Sequence, residues 1–215
     1  MLEICTFSLE DAFAAVEAGA ERLEVCKDYA SGGTTPPEEW IFALKHSVNV
    51  PMVAMVRPRG GDFHYTEAEW NDMVGTGLKL RKAGAHALVF GGLTRKNTLD
   101  VVHCRSFIQR VGLPCVLHRA FDEIEDPLAG LEDAIKSGFV RILTGWGLQD
   151  IGLLKQLKER AGPRIEILPG GGIRANNAEY YTALGFTQIH SSAIPSGKPS
   201  LDPTEIQEML RCLAR

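Results

Sequence analysis

The chain has 215 residues, 45% of them hydrophobic and 23% charged, with a formal net charge of −4. These ordinary globular values exclude a disordered or collagen-like chain, and the length suits one sizeable core, as in a single-domain α/β barrel. The acidic balance argues against nucleic acid, whose phosphates need a clustered basic surface. The chain has no run of 18 apolar residues, so neither a membrane-spanning helix nor a membrane partner is expected.

Leu2-Glu3-Ile4-Cys5 opens the chain, and Leu23-Glu24-Val25-Cys26 nearly repeats it. Side chains on a strand point to alternate faces. Leu2 and Ile4 therefore share one face while Glu3 and Cys5 share the other, and Leu23 and Val25 are split in the same way from Glu24 and Cys26. Neighbouring strands would gather two carboxylates and two thiols on one buried surface. Burying carboxylates is costly unless something pairs with them, which points to a use for them.

The predicted elements follow in order. A strand over 2–7 leads to a helix whose entry, Ser8 with Asp11, reads as a capping box. That helix ends at Gly19, before a strand over 22–26. A strand introduced by Pro51 runs to Val56, and Thr66 with Glu69 opens the next helix, which ends at Gly84 before a strand over 87–90. Pro114 introduces a strand to His118, and Asp126-Pro127 starts a helix that ends at Gly138 before a strand over 141–144. A strand over 164–168 precedes Gly170-Gly171-Gly172 and a helix expected to be capped by Asn176. After Gly185 comes a strand over 188–190, then a loop from about 195 and a terminal helix over 203–213. Eight strands alternating with helices imply parallel pairing and right-handed crossovers, and hence a (β/α)8 TIM-type barrel forming one domain over 1–215. An open doubly wound sheet is disfavoured because no GxGxxG follows the first strand.

In such a barrel the chemistry lies at the C-terminal ends of the strands. Cys5 and Cys26 would sit on strands about 4.8 Å apart, although barrel stagger places them in successive layers. Paired thiolates suit a soft, low-coordinate ion such as Cu(I), while buried free cysteines also serve as inert core residues. Cys104 and Cys115 read as structural. Five cysteines, an odd number without CxxC spacing, fit neither a disulfide scaffold nor a zinc ribbon. With Glu3 breaking any apolar leader, a reducing cytoplasm is the expected location.

Arg57 and Arg59 flank the stiffening Pro58, and Gly60-Gly61 permit close backbone approach. Together with Gly170, Gly171, Gly172 and Ser191 they are candidates to hold a small anion. Arg57 has a second reading, neutralising Glu3 or Glu24 inside the barrel. His118 and His190 are the acid–base candidates. Glu24 or Asp122 would orient them. Lys27 is the only lysine at a strand end, which argues against a Schiff-base aldolase.

Five ordered motifs now stand at predicted strand ends. They are Leu2-Glu3-Ile4-Cys5, Glu24-Val25-Cys26 with Gly32-Gly33-Thr34-Thr35-Pro36, the run Arg57-Pro58-Arg59-Gly60-Gly61-Asp62-Phe63, His118-Arg119-Ala120-Phe121-Asp122, and Pro169-Gly170-Gly171-Gly172. Together they resemble the copper homeostasis protein CutC family over most of the chain. The resemblance implies a dimeric cytoplasmic barrel with Cu(I) on Cys5 and Cys26. One departure stands out: the family usually has a serine after the sixth-strand threonine, where this chain has Gly145. The alternative reading is a lyase, isomerase or hydrolase acting on a small anionic or phosphorylated substrate at the barrel mouth.

Overall fold

In a computed structural model of the chain, residues 1–147 and 149–213 are described. The elements run β1 (Leu2–Thr6), α1 (Leu9–Glu17), β2 (Arg22–Val25), α2 (Glu38–Ser47), β3 (Met52–Met55), α3 (Glu67–Ala83), β4 (Ala87–Phe90) and α4 (Val101–Val111). They continue with β5 (Cys115–Leu117), α5 (Pro127–Ser137), β6 (Arg141–Thr144), α6 (Ile151–Ala161), β7 (Glu166–Pro169), α7 (Ala178–Ala183), β8 (Ile189–Ser191) and α8 (Pro203–Leu213). All neighbouring strands pair in parallel from β1 through β7, and β8 returns to pair with β1. Among the described residues β7 and β8 share no ladder, so the barrel closes with one unbonded seam.

Local chemistry sets the helix ends. The Ser8 hydroxyl accepts from the Asp11 amide at 3.0 Å, one half of the expected box. Thr66 and Glu69 complete theirs reciprocally. Asp126 caps α5 with Pro127 in the first turn, where a missing N–H costs nothing. Gly84 and Gly138 close α3 and α5 at φ of +111° and +95°, a region that admits glycine without strain. The helix after the triple glycine departs from expectation. Asn177, not Asn176, precedes it, and the Asn177 side chain is turned back to Arg174 and Gly172 rather than capping. With six residues, α7 is also too short to offer an anion a helix-terminal field.

Strand parity divides the core as the sequence requires. Leu2, Ile4, Leu23 and Val25 pack outward under the helices, in the same layer as Trp70, Phe90 and Phe107. Cys5 and Cys26 face into the barrel, where Val53, Met55, Val89, Val116, Leu143 and Leu168 form an apolar lining. Cys104 and Cys115 belong to the outer layer, consistent with structural roles.

Candidate functional site

Register places the polar interior. Glu3 stands opposite Arg22 on β2 and opposite His190 on β8, and Cys5 stands opposite Glu24. Glu3 is therefore flanked by two cations. One carboxylate oxygen accepts from Arg22 Nε, and the other meets His190 Nδ1 at 2.7 Å. Arg22 also donates to Gln188 at 2.7 Å. Burial alone would raise the Glu3 carboxyl, but the His190 hydrogen bond and the charges of His190, Arg22 and Arg141 lower it to about 2. Burial likewise depresses the His190 imidazole, yet Glu24, Cys5 and Glu3 together hold it well above its ordinary range. Glu3 and His190 therefore form a buried ion pair, with His190 charged near neutral pH.

Glu24 is the branch point. Its carboxylate lies within 4.8 Å of donor atoms of Glu3 and His190, and equally close to those of Cys5 and Cys26. Burial raises its pKa. Cys26 lies beyond Glu24 in the chain and hence further up the barrel, yet its Sγ is 3.7 Å from Cys5 Sγ and 3.5 Å from Glu24 Oε1. The stagger expected from the sequence does not keep the thiols apart. Cys5 shares a hydrogen bond with Cys26 and is buried, which pushes its thiol well up, and burial puts Cys26 at about 11. Both are thiols, not thiolates, near neutral pH.

Above this floor a cavity of about 270 Å³ opens at the C-terminal ends of the strands. Cys5, Glu24 and His190 form its base, and Phe7 and Phe63 flank it. Arg57, His118, Arg119 and Arg174 stand around its mouth. The reading of Arg57 as counter-ion to Glu3 or Glu24 is not borne out. Its guanidinium donates to the carbonyls of Ser31, Gly33 and Gly61 at 2.8, 3.1 and 2.7 Å and lies over the Phe63 ring. Arg22 neutralises Glu3 instead.

The other sequence candidates divide. His118 is buried, its Nδ1 accepts from the Ala120 amide at 3.2 Å, and its Nε2 meets no described partner. Burial and the nearby Arg57 charge lower its pKa to about 3, so it is neutral. Arg119, which parity turns away from the strand interior, still reaches the mouth. Asp122 orients no histidine. It holds Arg119 Nε at 3.0 Å and the Gly145 amide at 2.9 Å, fastening the loop after β6. Arg59 pairs with Glu69 at 2.6 Å and with Asp62 at 3.2 Å, away from the cavity lining. Gly171 and Gly172 border the cavity, whereas Gly170 packs beneath, against Leu143 and His190. The Ser191 hydroxyl is fully engaged by Ile173, Ala193 and Arg174, so it builds the loop.

Two features escaped sequence reasoning. Arg22 and Arg141 point inward from the N-terminal ends of their strands because they share parity with the inward-facing Glu24 and Leu143, and that parity was the available signal. Arg174, two residues past the triple glycine, lies in a loop where no periodic pattern marks its direction.

Residues 1–195 match the family model described as the CutC family. This chain belongs to the CutC family. The human copper homeostasis protein cutC homolog is 40% identical over 200 residues, spanning 90% of this chain and 73% of that protein. A CutC family protein of Treponema denticola is 38% identical over 199 residues, 90% of this chain and 81% of its own. A crystal structure of CutC from Streptococcus agalactiae superposes with a TM-score of 0.84 at 33% identity, covering 89% of this chain and 98% of that one. The CutC likeness and the barrel geometry agree on the fold. Of the residues that carried the resemblance, Cys5, Glu24, Arg57, His118 and Gly171 line the cavity of this CutC-family chain, whereas Arg59 and Asp122 do not.

Proposed function

We propose that the protein serves copper homeostasis in the cytoplasm by holding Cu(I) between Cys5 and Cys26. The observation that carries this reading is the approach of two Sγ atoms to 3.7 Å, with Cys5 at the base of an open cavity and Cys26 buried directly behind it. One ion can touch both sulfurs there. Soft sulfur donors select Cu(I) over harder divalent ions, and the two sulfurs lie within the apolar barrel lining. Glu24 stands 3.5 Å from Cys26 Sγ. As a hard oxygen donor it serves better as a proton acceptor than as a ligand, because copper loading displaces thiol protons.

The test is an anaerobic titration of the reduced protein with Cu(I) against a calibrated chelator, beside the Cys5→Ser/Cys26→Ser double variant. One tight equivalent, lost in the variant, is the expected result. Binding that is weak, or unchanged in the variant, would overturn the reading.

A further inference from the structure

We infer that the barrel mouth binds a small organic molecule through a carboxylate or phosphate group, received by His118 Nε2–H within a collar formed by Arg57, Arg119 and Arg174. This site lies above the cysteine pair, uses different residues and does not depend on the copper reading.

Charge is the first argument. Among the described residues bordering the cavity Glu24 is the only carboxylate, and it lies at the base beside the thiols. Against it stand three guanidiniums and His190; Glu3 balances His190 and Asp122 balances Arg119, which leaves Arg57 and Arg174 without a carboxylate partner among the described residues. Such a concave, one-signed surface concentrates an anion.

His118 supplies the second. It is 3% exposed, and the Ala120 amide hydrogen claims its Nδ1, so the neutral ring carries its proton on Nε2. That buried donor has no partner among the described residues. Buried donors are nearly always satisfied, and one left open on a residue that lines the cavity marks a place for an acceptor. Its depressed pKa, about 3, keeps the ring a neutral donor throughout the physiological range.

Rigidity is the third. Arg57, 6% exposed, is held by three backbone carbonyls and packed on Phe63, yet its Nε–H is unpartnered. Arg174 is held by Ile173, Ser191 and Ile194. Charges fixed in this way lose little freedom when a ligand arrives. Across the mouth, Gly171 and Gly172 adopt φ of +78° and +75°, and their amides donate to no described residue. At about 270 Å³ the cavity falls just below the volumes that take drug-sized ligands, so the occupant is of small-metabolite size.

The experiment titrates the full chain with 2-phosphoglycolate, glycolate and inorganic phosphate. It uses calorimetry together with long-range proton–nitrogen NMR of the His118 ring. The expected result is saturable binding of at least one probe with a shift of the His118 Nε2 resonance. Affinity should fall at least tenfold in His118→Leu and Arg57→Leu, and stay within a few fold in His118→Gln, which keeps a donor at that place. Preference for glycolate over inorganic phosphate would assign the carboxylate, and the reverse the phosphate. No saturable binding of any probe overturns the site, as does binding that leaves the His118 resonance unmoved or survives His118→Leu. The resonance is read on the unmodified protein, so a variant that fails to fold does not spare the proposal.

Discussion

Glu3 and His190 are 187 positions apart in the sequence, and their side chains meet at 2.7 Å inside the barrel. The contact joins the first strand to the last on the bonded side of β8, opposite the unbonded seam with β7. Arg22 meets the other Glu3 oxygen. Replacing Glu3 with Gln leaves Arg22 and a charged His190 facing each other without their shared counter-ion. Removing one partner of a buried pair typically costs about 3–5 kcal/mol, and urea unfolding should show a loss of that order with an unchanged m-value. A loss below about 1 kcal/mol would mean that the network is solvated and does not help close the barrel.

Strand parity made most of this site legible in advance. The placement of Glu3, Cys5, Glu24 and Cys26 inside, and of Leu2, Ile4, Leu23 and Val25 outside, needs only the period of two. Glycine stops and proline starts gave the alternation of elements, and so the barrel. Loop chemistry was less legible. Arg57 faces the interior, but its hydrogen bonds go to the carbonyls of Ser31, Gly33 and Gly61, a choice made by loop conformation that no periodic pattern encodes. Asp122 and Ser191 read as functional polar groups at strand ends and instead hold loops together. The Glu3–Arg22 contact follows from register, which parity alone does not fix.

His118 should leave a signature in the pH dependence of stability. Its imidazole is near 3 in the folded protein against an ordinary 6.5. Between those values the unfolded chain binds a proton that the folded chain refuses, so this contribution is complete above pH 6.5 and is lost as pH falls toward 3. The slope reaches at most about 1.4 kcal/mol per pH unit for one site. His118→Gln, which does not titrate, should therefore lose less stability than the parent between pH 6.5 and 4, measured by urea midpoints. Parallel curves would show that His118 protonates in place.

Two glycines that touch across the top of the barrel should respond very differently. A Cβ on Gly171 would lie 2.0 Å from the Gly145 carbonyl oxygen, a backbone atom, at a φ of +78°. Gly171→Ala should destabilise by several kcal/mol, or about 3 if the loop partly relaxes. A Cβ on Gly145 would instead meet the tip of Arg119, whose side chain is 64% exposed and free to move. Gly145→Ser should cost under about 1 kcal/mol, while breaking the 3.0 Å Arg119–Asp122 pair. Thermal melts of the two variants side by side distinguish these effects. Equal losses would show that the Gly145–Gly171 approach is looser than the geometry requires.

The cysteine pair makes a prediction about additivity that a chance juxtaposition of two core thiols does not share. If one Cu(I) ion bridges the two sulfurs 3.7 Å apart, either Cys5→Ser or Cys26→Ser alone removes the shared site. Each single variant should then weaken Cu(I) binding by more than the roughly 10- to 100-fold typical of residues that only support a ligand. The double variant should add little, because residues acting as one unit are strongly coupled. Stability of the metal-free protein should change modestly in comparison, since serine differs from cysteine by one atom, although at the fully buried Cys26 its hydroxyl needs a partner, and Glu24 is placed to accept. A chelator competition on all four proteins gives the coupling directly. Additive losses in the two singles would place copper on separate thiols and dissolve the bridged site.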